Sequence, residues 1–393
     1  MGFVYLDWAA TSPPDAALLE RSARIAGEYF ANPSSPHAAG LKAREFLEDC
    51  RRRLAAVLGC SPSELLFTSG GTEANNMVLF SLLRRRRGRR VVLSGIEHDS
   101  LYLPARRLEE LGGEALVIPA GRDGRVDPER LAAAMDERTV LLALMRVNNE
   151  TGAVQPVAEL AEALQRRRAA RGGRRILLHT DAVQALGKLP FRPAELGVDT
   201  AAFSAHKLGA PRGIGALYVR RGSVPEFLYA GGGQEEGRRP GTENLAGAFA
   251  LAEAAERAAA ELEARLARAR ELMGRLITGL AAIPGCRLLP EARGSGEPPE
   301  RYSPYILSAA FPPLPGEVLV RVMGEEGFLI STGAACSSRK QERTRVLEAM
   351  GVSRELAASA VRISLGPATE SGDLDRFCEA LRRRLPALLG AAK

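Results

Sequence analysis

Short apolar runs alternate with helix-like stretches through the first two thirds of the chain, and this alternation constrains the fold more than any other feature. The strand-like runs are Leu65–Thr68, Arg90–Ser94, Ala115–Ile118, Val140–Val147, Arg175–His179 and Thr200–Ser204. Strands buried on both faces are almost continuously apolar, and parallel strands need helical crossovers between them. The pattern therefore predicts an α/β fold with a mainly parallel sheet covered by helices on both faces.

A second region begins after these runs. Ala, Glu, Leu and Arg dominate from Thr242 to Ile283, and no proline interrupts this segment. It predicts one long helix, or two abutting helices, connecting two domains. The apolar run Tyr305–Phe311, a helical stretch at Pro315–Glu326 and later strand-like runs predict a smaller α+β domain.

The composition is that of a globular protein rather than a fibrous or disordered one. The chain has 393 residues, of which 46% are hydrophobic, and a formal net charge of +7. This charge allows an acidic partner without requiring nucleic acid. The arginine runs at 84–87 and 166–168 lack interleaved aromatic residues, so we expect solvated helix ends and no nucleic-acid partner. No apolar run is long enough to predict a membrane span, and Asp7 near the N-terminus argues against a signal peptide.

The cysteines and histidines predict neither a disulfide framework nor a metal site. The cysteines are odd in number and contain no C-x-x-C pair; they are Cys50, Cys60, Cys286, Cys336 and Cys378. This usage is typical of a reducing compartment and predicts a cytoplasmic protein. The four histidines form no H-E-x-x-H motif, so no metal ligand set is expected.

Three segments at predicted strand ends carry candidate chemistry. In Thr68–Glu73 a strand is followed by two glycines and a helix start, an arrangement that binds phosphate but also occurs in ordinary capped turns. Asp181 ends one strand-like run, where it either meets a cationic ligand group or caps the next helix. Lys207 follows another, where it is either a Schiff-base lysine or a surface lysine. Together, these three features are what an enzyme that depends on pyridoxal 5'-phosphate (PLP) needs to bind its cofactor.

With these residues in view, the sequence closely resembles the cysteine desulfurases, fold-type-I PLP enzymes of the class-V aminotransferase family. The matching segments are Tyr5–Thr11, Asn32–His37, Thr68–Asn76, Glu97–His98, Asn148–Gly152, His179–Gln184, Ser204–Lys207, Arg239–Asn244, Ser331–Ser338 and Arg362–Gly366. They span nearly the whole chain. The resemblance implies a large PLP-binding domain with a seven-stranded sheet at 15–255, and a small domain formed by 1–14 and 256–393.

The resemblance also implies roles for individual residues. Lys207 would carry PLP as a Schiff base, Asp181 would pair with the pyridinium nitrogen, and His98 would stack on the ring and shuttle protons. Gln184 would bond the ring oxygen, and Arg362 would clamp the substrate carboxylate. The other residues implied in cofactor or substrate binding are Gly71, Thr72, Asn149, Ser204, Ala205, His206, Thr242 from the second subunit of a homodimer, and Asn32.

Cys336 is the residue that distinguishes members of the family. It lies among small residues in Ser331–Ser338 and is followed by Arg339 and Lys340, a setting that favours a thiolate on a mobile loop. The motif resembles the longer-loop desulfurases that serve iron–sulfur assembly. Two positions depart from the family pattern: Trp8 replaces the usual Asn, and Asp99 could raise the pKa of His98.

The resemblance predicts conversion of L-cysteine to L-alanine with a persulfide on Cys336. The sulfur would pass to an acceptor protein such as an iron–sulfur scaffold, or serve other thio-cofactors. The alternatives are selenocysteine lyase or cysteine sulfinate desulfinase activity, an aminotransferase, which Cys336 argues against, and a non-enzymatic paralogue that acts as a binding partner. The intact set of Lys207, Asp181, His98 and Cys336 argues against the last of these.

Overall fold

The computed structural model describes residues 2–84, 89–171, 175–223, 225–294, 298–333 and 344–391. The strands are β1 (Val4–Tyr5), β2 (Leu65–Thr68), β3 (Arg90–Ser94), β4 (Glu114–Ile118), β5 (Thr139–Ala143), β6 (Leu177–Asp181), β7 (Thr200–Ser204), β8 (Gly215–Val219), β9 (Arg287–Leu289), β10 (Ile306–Ala310), β11 (Phe328–Leu329) and β12 (Ala360–Ser364). The helices are α1 (Ala16–Glu28), α2 (Ala38–Leu58), α3 (Gly71–Phe80), α4 (Asp99–Glu110), α5 (Pro128–Ala133), α6 (Val157–Arg171), α7 (Leu245–Ala260), α8 (Leu262–Ala281), α9 (Gly316–Glu325), α10 (Arg345–Glu348), α11 (Arg354–Ala358) and α12 (Ser371–Ala391).

The largest sheet has seven strands in the order β2-β8-β7-β6-β5-β3-β4. Strand β8 runs antiparallel to β2 and β7, and the remaining neighbours are parallel. Apart from the partly exposed edge strand β4, its strands are buried on both faces, because successive side chains alternate between two apolar clusters. Val92 of β3 joins one cluster, while Val91 and Leu93 join the other. The predicted mainly parallel α/β sheet is confirmed.

A smaller unit follows the connecting helices. The predicted connector is two helices, α7 and α8, which meet at Glu261. Strands β12, β10 and β9 form an antiparallel sheet, and β1 pairs with β11. A separate apolar cluster joins Leu6, Leu276 of α8 and Phe377 of α12, so the N-terminal segment packs with the C-terminal region. The boundaries at 15–255 and 256–393 stay a prediction.

The carboxyl ends of the parallel strands form the edge that positions the site. Ser94, Asp181 and Ser204 are the last residues of β3, β6 and β7. The N-terminal segment lies at the same edge, where Gln184 Nε2, three residues beyond the end of β6, donates to the Ala9 carbonyl oxygen at 2.9 Å. Ligands bind at this edge in open α/β sheets. Among the described helices, none combines the length and apolar character required to cross a membrane.

Candidate active site

A cavity of about 220 Å³ opens at this edge, and it brings together most of the residues that the sequence predicts for the site. The predicted residues that line it are Gly71, Thr72, His98, Asn149, Asp181, Gln184, Ser204, His206, Lys207 and Arg362. They come from distant parts of the chain. The parallel sheet explains most of this convergence, because the segments that follow its parallel strands all begin at one edge. Arg362 instead comes from β12 of the smaller sheet.

Lys207 lies in a short 3-10 turn, Ala205–Leu208, directly after β7. Its Nζ donates to the Ala9 and Ala10 carbonyl oxygens at 2.6 Å each. The Ser12 hydroxyl in turn donates to the Lys207 carbonyl oxygen at 2.9 Å. The amine is therefore held at the cavity wall by the N-terminal segment.

Asp181 is fixed by a buried network behind the cavity. Its Oδ2 accepts from Asn75 Nδ2 at 2.8 Å, and its Oδ1 accepts from the Val183 N–H at 3.0 Å. Asn75 Oδ1 lies 2.9 Å from His179 Nε2, and Thr200 Oγ1 lies 2.9 Å from the other ring nitrogen. Burial lowers the pKa of His179 to about 3, so this ring is neutral and donates to Asn75. The carboxylate thus has one defined orientation.

His98 is the N-cap of α4, and its Nδ1 accepts from the Ser100 N–H at 3.1 Å. This contact places the proton of the neutral ring on Nε2. Burial lowers the pKa of His98, although the Asp181 and Asp99 carboxylates oppose the effect. Asp99 therefore raises the pKa of His98 as expected, but the opposite effect of burial is larger. The Asp99 carboxylate also forms an ion pair with Arg345 Nη2 at 2.9 Å.

The phosphate-binding candidate is the start of α3. The first backbone N–H groups of a helix have no partner within it, and the helix dipole favours an anion there. A side chain at Gly71 would place its Cβ 2.5 Å from Val183 Cγ2, so only glycine fits this close approach. Ser204 and His206 line the same cavity. Burial and the Lys207 charge lower the pKa of His206 to about 4, so its ring is neutral.

Arg362 is buried and tightly held. Its Nη1 donates to the Asn149 and Gly333 carbonyl oxygens at 3.0 Å each, and its Nη2 donates to Asp7 Oδ1 at 2.7 Å. Asn149 Oδ1 is a buried acceptor with no partner among the described residues. Buried polar atoms normally have partners, so this oxygen is able to accept a hydrogen bond from a ligand in the cavity.

Three predicted site residues of the described chain do not line the cavity, and a fourth lies outside the described residues. Asn32 is exposed, and its Oδ1 accepts from the Ser34 N–H at 2.8 Å in a local turn. Thr242 is also exposed and does not line the cavity, and Ala205 is buried behind the wall. Cys336 lies outside the described residues. The roles of these four residues stay predictions.

The sequence interpretation missed several acidic and basic residues in the wall. Glu97 and Glu150 line the cavity, and burial raises the pKa of each carboxyl to about 7. Arg345 also lines it and donates from Nη2 to the Glu97 carbonyl oxygen at 2.6 Å. Glu97 and Glu150 lie in matching segments, so their positions were visible, but their burial was not.

Trp8 lies outside this cavity. Its ring covers Gly366, where a side-chain Cβ would come within 1.9 Å of Trp8 Cδ2. Its Nε1 donates to the Tyr5 carbonyl oxygen at 2.9 Å. Trp8 borders a second cavity of about 590 Å³, which also contacts Lys207 and Lys188. The departure at Trp8 therefore alters the neighbouring cavity rather than the one containing Asp181.

The residues present fit PLP. They provide a lysine amine for its aldehyde, a carboxylate for its ring nitrogen, and a glycine-started helix for its phosphate. The unpartnered Asn149 Oδ1 supplies a further polar contact. No group of three or more potential metal ligands occurs within the part of the chain that the structure describes.

Comparisons with known proteins identify the class of this fold and site. The sequence model of the family described as "Aminotransferase class-V" matches residues 4–377. The chain therefore belongs to the class-V aminotransferase family, whose members are PLP-dependent enzymes.

Within this family, the chain is similar to proteins named cysteine desulfurase and to solved NifS-like structures. The chain is 36% identical over 389 residues to a cysteine desulfurase IscS of Dictyoglomus turgidum, covering 98% of this chain and 95% of the relative. It is 35% identical over 380 residues to a cysteine desulfurase IscS of Methanosarcina thermophila, covering 96% and 91%. A solved NifS-like protein superposes with a TM-score of 0.88 at 34% identity, covering 98% and 100%. The predicted family and fold are confirmed.

Proposed function

We propose that this protein is a PLP-dependent cysteine desulfurase, which converts L-cysteine to L-alanine and transfers the sulfur to Cys336. The observation that carries the proposal is the convergence of Lys207, Asp181 and the start of α3 on one cavity of about 220 Å³. The similarity to proteins named cysteine desulfurase over nearly the full chain supports the choice of substrate.

The cavity residues divide into those that hold the cofactor and those that hold the substrate. When bound, PLP supplies an electron sink for negative charge at the substrate Cα. Lys207 would hold its aldehyde carbon, Asp181 its ring nitrogen, and Gln184 its ring oxygen. The phosphate would be held by Gly71, Thr72, Ser204 and His206, joined by the partner subunit's Thr242.

Lys207 moves the proton in this mechanism. When it is not bonded to the cofactor, its Nζ would take the proton from the substrate Cα and later return a proton to the carbon skeleton. His98 contributes a neutral ring with its proton on Nε2, because Nδ1 accepts from the Ser100 N–H. The Nε2–H of this neutral ring can donate a hydrogen bond in the cavity without adding a charge there.

Arg362 orients the substrate through its carboxylate. A planar guanidinium suits a bidentate contact, and the Asn149 and Gly333 carbonyl oxygens fix its plane. Gly333 lies three positions before Cys336 in the sequence, so the same arginine contacts the chain just before the sulfur acceptor. This proximity supports transfer of the substrate sulfur to Cys336.

The sulfur-transfer step conserves electrons. The Cys336 thiolate attacks the substrate sulfur, forming a sulfur–sulfur bond as the substrate Cβ–S bond breaks. The electron pair of that bond goes to the carbon skeleton, which is protonated and leaves as L-alanine. The persulfide then passes to an acceptor protein such as an iron–sulfur scaffold.

The quaternary state and location complete the proposal. We infer a homodimer, because Thr242 is exposed and does not line the cavity of its own chain, whereas the resemblance assigns it to the cofactor site of a second subunit. We also infer a cytoplasmic protein. The four described cysteines are free thiols, which a reducing compartment maintains.

A substrate comparison tests the function. Protein reconstituted with PLP should release alanine from L-cysteine faster than from selenocysteine or cysteine sulfinate. Lys207→Ala should abolish this activity, while the surface change Lys42→Met should preserve it. Faster turnover of either alternative substrate would reassign the activity within the family. Absence of turnover, or equal turnover by Lys207→Ala, would contradict the proposal.

A further inference from the structure

Lys188 is a buried lysine in the segment that follows β6. Its exposed fraction is 9%, and no carboxylate pairs with its amine among the residues that the structure describes. The Nζ instead donates to Gln184 Oε1 at 2.9 Å. Burying an amine without a counter-ion is costly, so a specific use of this contact is expected.

The amide of Gln184 is held at both ends. Its nitrogen faces the Ala9 carbonyl oxygen at 2.9 Å, and a carbonyl oxygen can only accept a hydrogen bond. The amide oxygen must therefore face Lys188, which has N–H groups to donate. The last torsion of a glutamine side chain is otherwise broad, so these two contacts select one of its two orientations.

This orientation determines what Gln184 offers to the cavity. Nε2 carries two hydrogens, and Ala9 takes one of them. Gln184 lines the cavity, so the second hydrogen is available to a ligand there. With the amide reversed, the cavity would meet an acceptor instead, which would repel a negatively charged ring oxygen.

We propose that Lys188 is a positioning residue, which holds Gln184 Oε1 so that the Gln184 amide donates to the ring oxygen of the cofactor. This inference rests on the proposed PLP-dependent function. The role is distinct from that of Lys207, because Lys188 contacts the cavity only through Gln184 in the described contacts.

The electrostatic surroundings are compatible with this role. Burial lowers the pKa of Lys188 to about 7, with repulsion from Lys207 and Arg362 adding to the effect. Both the charged and the neutral amine carry N–H groups, so the bond to Gln184 persists on either side of neutral pH. The second cavity beside Lys188 also has charged walls. Its other charged residues are Asp15, Arg257, Glu261, Arg265 and Arg268.

The test uses the visible absorbance of the resting holoenzyme, titrated with pH in the absence of substrate. Gln184→Met should raise the apparent pKa of the Lys207-linked chromophore by about one unit. The reason is that a ring oxygen without its donor holds the neighbouring proton more tightly. Lys188→Met, which keeps an unbranched side chain one atom shorter, should raise this pKa by part of that amount, and Lys42→Met should leave it unchanged.

The double variant Lys188→Met/Gln184→Met decides the question. If Lys188 acts through Gln184, the double variant has the chromophore pKa of Gln184→Met alone. If the shifts in the chromophore pKa are additive in the double variant, Lys188 acts only as an independent charge. If Lys188→Met leaves the chromophore pKa unchanged, Lys188 has no effect on the cofactor. Either result overturns the inference. Lys188→Leu replaces Lys188→Met if the latter gives no soluble protein. A wild-type protein that gains no visible band with PLP would instead contradict the proposed function.

Discussion

Replacing Glu97 by glutamine should stabilise the protein above neutral pH. Both hydrogen bonds to the Glu97 carboxyl, from the Ser94 hydroxyl at 2.6 Å and the Met145 N–H at 2.8 Å, end on Oε1. Its Oε2 is buried without a partner among the described residues. The substituted amide can keep both acceptor contacts and places its nitrogen where the unpartnered oxygen lies. The change therefore removes an ionisable group while retaining its bonds.

The magnitude follows from the pKa of the carboxyl. Burial raises the pKa of Glu97 from 4.5 to about 7. Stability that the protonated side chain contributes is therefore fully present below pH 4.5, and it is lost as the pH rises through 7. The difference between the two pKa values corresponds to about 3 kcal/mol. Glu97→Gln should gain this amount relative to wild type between those pH values and hold it above them.

Chemical denaturation of the cofactor-free protein at a series of pH values measures the effect. The free energy of unfolding of Glu97→Gln minus that of wild type should rise with pH and level off above 7. The matched change Glu45→Gln, at an exposed glutamate, should give a small difference that does not follow this curve. A pH-independent difference for Glu97→Gln would refute the inferred ionisation of this carboxyl.

Three further substitutions test the site. Asp181→Asn should lower turnover by about 10- to 100-fold in steady-state assays, because a neutral amide cannot keep the pyridine nitrogen protonated; unchanged turnover would contradict the pairing. Arg362→Lys should raise KM for cysteine and lower kcat while leaving cofactor absorbance intact, and an unchanged kcat/KM would place it outside the substrate site. Gly71→Ala should weaken PLP binding by about 10- to 100-fold in equilibrium titrations, since its Cβ would lie 2.5 Å from Val183 Cγ2. The control Gly274→Ala meets no atom within 4 Å, and equal affinity in both would contradict the cradle.

The parallel sheet could be predicted from the sequence because its strands are apolar on both faces. The apolar pattern predicts a strand at Arg175–His179, whereas the observed strand β6 lies two residues later, at Leu177–Asp181. The strand ends in buried polar residues, and Thr180 pairs with Ala201 of β7. Strand β8 was not predicted, because a glycine-rich stretch precedes it and its antiparallel pairing depends on two distant strands.

Some residues of the candidate site could be predicted from the sequence, and others could not. Lys207 and Asp181 could be predicted because each follows or ends an apolar run and lies in a recognisable motif. Glu97, Asn75 and Lys188 could not be assigned, since their roles arise from burial and from partners distant in sequence. Asn75, for example, connects to Asp181 across 106 positions of the chain.

The pKa values of the four described cysteines bear on which thiol accepts the sulfur. Burial raises the pKa of Cys50, Cys60 and Cys286 to about 12 and that of Cys378 to about 11. These four thiols are protonated at neutral pH and therefore poor nucleophiles. Among the cysteines of this chain, Cys336 alone is left as the sulfur acceptor of the proposed reaction.

Peptide mass mapping after a single turnover with L-cysteine tests this assignment. The added sulfur atom should be found on the peptide that contains Cys336, together with one equivalent of alanine. Cys336→Ser should bind PLP with unchanged absorbance but acquire no persulfide and release no alanine. A persulfide on any of the other four cysteines, or alanine release by Cys336→Ser at the wild-type rate, would contradict the proposed mechanism.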